Sequence, residues 1–197
     1  MNKIHLIALA AAPALAMATP AAAQSVTGVV NITGNVASKC IVATPGNPTG
    51  SDFGGTVALG NLAQADGTMA TDLASRFNGT AATNLNYKVV CNSAKTSVAV
   101  DADPIVAATG VAQAGYANRI DYKASVAVTL VSGAGTPVEN DSAAVATPAV
   151  TYNDRLAAGG TNISVTAANF RTPNAADILV ADPVYTGKIT IVVSPVS

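Results

Sequence analysis

Apolar and polar residues alternate along the first part of the chain, from Ser25 to Val42 (SVTGVVNITGNVASKCIV). Every even position from 26 to 36 is Val, Gly or Ile, and these residues are Val26, Gly28, Val30, Ile32, Gly34 and Val36. Most of the odd positions are polar, with Val29, Ala37 and Ile41 as exceptions. Period-2 alternation is typical of a β-strand with one buried face, so this stretch is predicted to be extended.

The alternating run is too long for one strand of a small sandwich. Strands usually have ~3 to 10 residues, and residues 26–42 at ~3.3 Å each would extend about 55 Å. Either Gly34-Asn35 divides the run into two strands, or one half extends beyond the domain with its apolar face exposed. The second interpretation requires a groove in another molecule.

Further alternating segments are spaced along the chain. They cover residues 84–92, the start of a strand at Val98 and Val100, residues 119–130, 161–167 and 185–193, and a shorter strand is predicted over 53–60. Turn-forming residues separate these segments. About seven strands of this kind predict an all-β sandwich of immunoglobulin-like type.

A short helix, a turn and a loop are also predicted from local signals. Residues 71–77 are predicted to form one or two helical turns, with Thr71 as N-cap and Gly79 as the stop. The sequence Asp101-Ala102-Asp103-Pro104 is interpreted as a turn, and residues 140–147 as a polar, Ala-rich loop.

The first 23 residues have the features of a secretory signal peptide. Lys3 lies in the charged region, an apolar run extends from Ile4 to Met17, and Ala21-Ala22-Ala23 provides the cleavage site. An uncleaved anchor is the alternative, but the apolar region is short for that role. An exported chain favours pairing of its two cysteines, Cys40 and Cys91, over free or catalytic thiols.

Composition excludes several functions. Charged residues make up 11% of the chain, against ~25% in an ordinary domain, and the net charge of −1 suggests no nucleic-acid partner. His5, in the leader, is the sole histidine. The mature chain therefore lacks the Ser-His-Asp and Cys-His arrangements and the usual zinc and copper sites. No catalytic residue, metal or cofactor is predicted.

With these elements placed, the sequence resembles the archaic chaperone–usher pilins, the group related to spore coat protein U. The matching motifs are Ser25-Val26-Thr27-Gly28-x-Val30-x-Ile32 leading to Cys40, Phe53-Gly54 before Val57-x-Leu59-Gly60, a strand ending at Cys91, Phe170-Arg171-x-Pro173, and Tyr185-x-Gly187-x-Ile189-Thr190-Ile191-x-Val193. Phe170 stands where the family usually has Gly, and residues 131–160 have no counterpart.

The resemblance implies an incomplete immunoglobulin-like sandwich that lacks its last strand. Residues 24–35 would be a donor-strand extension and residues 36–197 the pilin domain, whose groove is completed by a neighbouring subunit. Val26, Gly28, Val30 and Ile32 would be the donor residues, and Tyr185, Gly187, Ile189, Ile191 and Val193 would line the groove. The implied partners are copies of the same chain, a periplasmic chaperone and an outer-membrane usher, with export through the periplasm to a surface pilus that supports adhesion or biofilm formation.

Two other functions remain open from the residues. In a monomeric secreted binding module, residues 25–35 would fold back on their own sandwich through a turn at Gly34-Asn35. In an enzyme, acids such as Asp101 with Asp103, or Asp177 with Asp182, could pair for glycoside hydrolysis. Scattered acids in loops are more often solvated turn residues, so the enzyme hypothesis has the weaker support.

Overall fold

The computed structural model describes residues 28–44 and 47–196. The chain divides into two compact units, Met1–Asn35 and Val36–Ser197. The predicted signal peptide and Val26 lie outside the described residues. Within the first unit, residues 28–35 form neither helix nor strand.

The second unit is mostly β, as the alternating pattern predicts, and the all-β class is confirmed. Its described strands are β1 (Cys40–Thr44), β2 (Asn47–Gly50), β3 (Asn86–Tyr87), β4 (Val89–Cys91), β5 (Lys95–Ala107), β6 (Tyr116–Ala117), β7 (Arg119–Leu130), β8 (Gly133–Ala134), β9 (Val138–Asp141), β10 (Val150–Tyr152), β11 (Ile163–Arg171), β12 (Ile178–Leu179) and β13 (Tyr185–Val196). Helix α1 (Leu73–Asn84) lies between β2 and β3.

The strands form an open antiparallel sandwich. The main sheet has the order β10-β5-β7-β11-β3, with β13 paired to β5, and with β8 and β9 paired to β7. Strand β5 pairs with β13 from Lys95 to Ala107 but with β7 only at Ile105 and Val106. A second sheet has the order β2-β1-β4, and a short parallel pair joins β12 to β6.

The core lies between the inward faces of the long strands. On β7, alternate residues from Ile120 to Leu130 are buried, and β5 and β11 bury Val98, Val100, Ile163 and Val165 in the same manner. Helix α1 covers β11 with a stripe of Leu73, Phe77 and Ala81, whose i, i+4, i+8 spacing places them on one face. The core is therefore mainly aliphatic.

The predictions for residues 119–130, 161–167 and 185–193 are confirmed as β7, β11 and β13. The strand predicted over residues 84–92 is found as two short strands, β3 and β4, because β3 pairs with β11 whereas β4 pairs with β1. Alternation identified these segments because each has one buried face.

The strand predicted over residues 53–60 is wrong, and the long alternating run is a strand only in part. Of the long alternating run, only Cys40 onward is strand, and residues 28–39 are not. Residues 53–60 also belong to no strand, although Phe53, Val57 and Leu59 are half-buried between exposed neighbours. Both segments retain a period-2 sequence, and what they lack is a hydrogen-bonded neighbour.

The structure also differs from the predicted helix, turn and loop. Helix α1 begins at Leu73, has Asp72 rather than Thr71 at its N-cap, and continues through Gly79 because Ala81 extends its buried face. Strand β5 continues through the expected turn at Asp101 to Pro104, since its inward residues Ala102 and Ile105 remain in the core. Strand β9 includes Asn140 and Asp141 from the expected loop.

Candidate functional site

A groove of about 920 Å³ runs beside the C-terminal strand β13. One wall is β13, the other is the extended segment 53–62, and the floor belongs to the core. Four of the five predicted groove residues line it, namely Tyr185, Gly187, Ile189 and Ile191. Tyr185, Ile189 and Ile191 are half-buried on this face of β13 and Gly187 is exposed, whereas Thr186, Lys188 and Thr190 lie on the other, exposed face.

Strand β13 forms the edge of its sheet among the described residues. It pairs with β5 along almost its whole length and with no other described strand. The backbone groups that point away from β5 therefore have no ladder partner. An edge of this length, with aliphatic side chains on its inner face, is a template for pairing with another strand.

The opposite wall is fixed to the domain through helix α1. The Arg76 side chain donates hydrogen bonds from Nη1 to the carbonyl oxygens of Leu59 (3.1 Å) and Asn61 (2.5 Å), and an ion pair of 2.7 Å joins it to Asp72. Phe53, Val57 and Leu59 direct their half-buried side chains into the groove. The wall is thus held in place without belonging to a sheet.

Aromatic rings form part of the groove floor. Tyr122 and Phe170 are stacked with centroids 5.5 Å apart, and Phe77 lies 6.4 Å from Phe170. The Tyr122 hydroxyl donates a hydrogen bond of 3.0 Å to the Lys188 carbonyl, which connects the floor to β13. Burial raises the pKa of Tyr122 well above its ordinary value, so this hydroxyl remains a donor at neutral pH.

The hydroxyl of Tyr87 is a second polar group in the groove, and unlike that of Tyr122 it has no hydrogen-bond partner among the described residues. Tyr87 packs against Phe53 with ring centroids 4.7 Å apart, and its hydroxyl is buried. Burial also raises the pKa of Tyr87. The hydroxyl is therefore neutral at physiological pH.

The fifth predicted residue, Val193, lies in a smaller pocket of about 240 Å³ next to the groove. This terminal pocket is lined by Cys40, Val42, Phe53, Val89, Ile191 and Val193. Phe53 and Ile191 line both cavities, so the terminal pocket continues the groove toward the end of β13.

The predicted disulfide is confirmed at this end of the groove. Cys40 and Cys91 are directly opposite each other on β1 and β4, with their Sγ atoms 2.01 Å apart. The bond fastens the start of β1, and with it one side of the terminal pocket.

The predicted donor residues that the structure describes are solvent-exposed. Val30 exposes 86% and Ile32 93% of its surface, and Gly28 is exposed as well. Val26 falls outside the described residues.

Immediately after this segment the chain is tied to the sandwich by Asn92. Asn92 Nδ2 donates to the Ala37 carbonyl (2.8 Å), and Asn92 Oδ1 accepts from the Lys39 N–H (2.7 Å). A further bond runs from the Asn92 N–H to the Lys39 carbonyl. Residues 37–39 therefore belong firmly to their own domain.

Three of the four carboxylates considered for enzymatic chemistry have other partners. Asp103 forms a 3.3 Å ion pair with Lys188, and Asp177 accepts from Asn174. Asp182 accepts hydrogen bonds from the N–H groups of Val184, Thr109 and Gly110, which hold its pKa well below the ordinary range. Among the described residues, no three His, Cys, Asp or Glu side chains are grouped to hold a metal ion.

The sequence did not identify the second wall or the floor as parts of the groove. The alternation at Val57 and Leu59 predicts an ordinary strand, not the wall of a groove. No signal in the sequence shows that Phe77, Tyr122 and Phe170 meet beneath β13, because that contact depends on α1 packing against β11.

Comparisons with protein-family models, with curated proteins and with solved structures found no match to this chain. No helix within residues 28–44 and 47–196 is long and apolar enough to cross a membrane.

Proposed function

We propose that this protein is a structural, non-enzymatic subunit of a surface pilus that polymerises by donor-strand complementation. In this mechanism the N-terminal segment of one copy, residues 24–35, enters the groove of the next copy and completes its sandwich. Assembly through a periplasmic chaperone and an outer-membrane usher follows from the resemblance to archaic pilins, and so does a role in adhesion or biofilm formation.

The observation that carries this proposal is a groove whose two walls are both extended and both lack a ladder partner on the side that faces the groove. Strand β13 has no described strand on its outer edge, and segment 53–62 has the alternating burial of a strand without being one. A single extended segment inserted between them would hydrogen-bond to β13 and bury its side chains on the aromatic floor. That is recognition by β-strand addition.

The N-terminal segment has the matching pattern. Its even positions are Val, Gly and Ile, and Val30 and Ile32 are among the most exposed large side chains described. Thr27, Asn31 and Thr33 on the other face are polar, so they would remain in solvent when the even face is buried. Burying each Val or Ile would contribute ~1.5 to 3 kcal/mol.

The test compares residues 24–197 with a variant that lacks Ser25–Gly34, both with the disulfide intact, on an SDS gel without boiling. We expect the intact chain to give a ladder of multiples that heat collapses to monomer, and the deletion variant to give none. Adding a peptide of residues 24–36 to the deletion variant should raise its melting temperature, since a ligand that binds only the folded state stabilises it.

A deletion variant that folds, ignores the peptide and leaves the gel pattern unchanged would contradict the proposal. If the intact chain is also monomeric, the monomeric binding module gains support. In that case the N-terminal segment would be occupying the groove of its own sandwich.

A further inference from the structure

The wall of the groove opposite β13 is held by very few polar contacts between residues 54 and 61. This stretch belongs to no strand and includes three glycines. It follows Phe53, whose ring packs in the groove, and it precedes Leu62, whose carbonyl accepts a hydrogen bond of 2.8 Å from the Ala70 N–H. Between these two points, Arg76 makes the only hydrogen bonds to it from elsewhere in the described domain.

Packing adds little to this hold, because the side chains of Val57 and Leu59 are only half-buried and lie between exposed neighbours. A stretch with few buried contacts and no ladder hydrogen bonds opens locally at a small cost in free energy, without unfolding of the domain. The position of the wall therefore depends on Arg76 more than on the sheets.

The guanidinium of Arg76 is itself held in a fixed orientation. Its Nε donates a hydrogen bond of 2.9 Å to one carboxylate oxygen of Asp72, and its Nη2 lies 2.7 Å from the other. A bidentate pair of this kind fixes the plane of the guanidinium and leaves Nη1 directed at the wall. Since both side chains are partly exposed, the pair contributes little stability by itself, and what it supplies is orientation.

The wall is bent to meet this one nitrogen. The carbonyl oxygens of Leu59 and Asn61 lie 3.1 and 2.5 Å from Arg76 Nη1, so they are closer together than the ~6.6 Å that separates alternate residues of a strand. Gly60 lies between them with a φ of +70°, a conformation that glycine adopts without strain. Sequence and side-chain contact thus agree on the same local shape.

We infer that Arg76 is a positioning residue of the groove, which holds residues 54–61 in place as the second wall before any strand enters. The inference rests on the proposed function, because an inserted strand needs both walls. Without Arg76 the sandwich stays folded, since this stretch belongs to none of its sheets, but the wall is no longer fixed. An entering strand must then order the wall as it binds, and ordering a segment on binding weakens the association.

Limited proteolysis of the full mature chain tests the hold on the wall. Arg76→Met removes every donor but keeps an unbranched side chain of similar helix propensity. In the monomeric fraction we expect thermolysin, which cleaves before apolar residues, to cut within residues 54–61 at least ~10-fold faster, because cleavage follows the population of the open form. Arg155→Met makes the same change at an exposed position away from the groove and should leave the cleavage rate unchanged.

Two further variants separate the contact from the general stability of helix α1. Arg76→Lys keeps a donor for the carbonyl oxygens but loses the bidentate pair with Asp72, so its cleavage rate should lie between those of native protein and Arg76→Met. Gly60→Ala leaves Arg76 intact and disfavours the bend, since a β-carbon at positive φ is strained although it meets no atom within 4 Å. It should also speed cleavage of the wall, and the melting temperature of each variant should stay close to that of the native monomer.

Assembly on an unboiled SDS gel completes the test. Arg76→Met should form the ladder roughly 10-fold less readily than native protein, and Arg155→Met should form it normally. Unchanged cleavage of residues 54–61 in both Arg76→Met and Gly60→Ala would overturn the inference, and so would faster cleavage with an unchanged ladder. If native protein gives no ladder, the proposed function fails, and the cleavage rates still decide whether Arg76 holds this wall.

Discussion

Gly187 and Ile105 are in such close contact that the β13–β5 pairing depends on the absence of a side chain at position 187. The register of the two strands shifts between Thr186 and Lys188, so that β5 has one more residue than β13 at this point. This bulge brings the backbone of Ile105 to within 3.2 Å of where a Gly187 β-carbon would be. Glycines in strands often mark such close backbone approaches.

Gly187→Ala should lower the free energy of unfolding by ~1 to 3 kcal/mol, because the added methyl group forces the two strands apart. Urea unfolding followed by circular dichroism measures the change. Gly54→Ala is the matched control, since a β-carbon at Gly54 meets no atom within 4 Å. That variant should stay within ~0.5 kcal/mol of the native protein. Equal effects at both positions would show that the strands relax around the new side chain.

Substitutions on the two faces of the N-terminal segment should affect polymerisation differently. Val30→Asn places a polar group on the face that enters the groove, and the loss of ~1.5 to 3 kcal/mol of apolar burial predicts roughly 10- to 100-fold weaker association. Val29→Asn makes the same chemical change on the opposite face and should leave the ladder on an unboiled gel unchanged.

Both residues are exposed in the single chain, Val29 at 80% and Val30 at 86%. Neither substitution should therefore alter the melting temperature of monomeric protein. Equal loss of the ladder in the two variants would contradict insertion of one defined face.

The carboxylate of Asp182, which lies at the groove, should make the stability of the folded protein depend on pH. Its carboxylate accepts hydrogen bonds from Thr109 Oγ1 (2.7 Å) and from three backbone N–H groups, which lower its pKa below the ordinary value of 3.8. A lowered folded-state pKa contributes stability that is present above the ordinary pKa and is lost as the pH falls below it.

Asp182→Asn should accordingly be less stable than the native protein at pH 7, and the difference should shrink as the pH falls from about 4 toward 2. Unfolding in urea across this range measures it. The effect of Asp182→Asn should also be smaller in a Thr109→Val background, where one of the bonds is already missing. A difference that is the same at pH 7 and pH 3 would show that the charge of Asp182 is not responsible.

Asn162 should be among the most sensitive polar positions in the core. It is only 2% exposed, and its side chain accepts from the Val89 N–H and donates to the carbonyls of Val89 and Ala157. Asn162→Ala leaves these three buried backbone groups without their partner and should cost ~2 to 5 kcal/mol. Asn153→Ala, at an exposed position, serves as the control and should be nearly neutral in the same thermal unfolding measurement.

Several features of the fold were predictable because they depend on one strand at a time. Residues on β7 and β11 alternate with a buried face and those on β13 with a half-buried one, and this alternation is what the period-2 pattern records. The disulfide followed from the same pattern, since Cys40 and Cys91 both fall on the inward side of their strands and the chain has the features of an exported protein. Alternation also placed Tyr185, Gly187, Ile189, Ile191 and Val193 on one face of β13, while their role as groove residues came from the resemblance to pilins.

Features that depend on two segments at once were not predictable. Asp101 and Asp103 read locally as a turn, but pairing with β13 keeps them in β5 with their side chains outward. Gly79 predicts the end of the helix, but α1 continues past it because Ala81 packs in the core.

Alternation in the sequence decides which side chains can face inward, since neighbouring side chains in an extended chain must point to opposite sides. Whether an alternating segment becomes a strand depends on a hydrogen-bonded neighbour, which can be far away in the chain or absent. Residues 28–36, 53–60 and 185–193 have similar patterns, yet only the last is a strand. The groove between β13 and segment 53–62 exists because no described strand fills it, and only the tertiary structure could decide that.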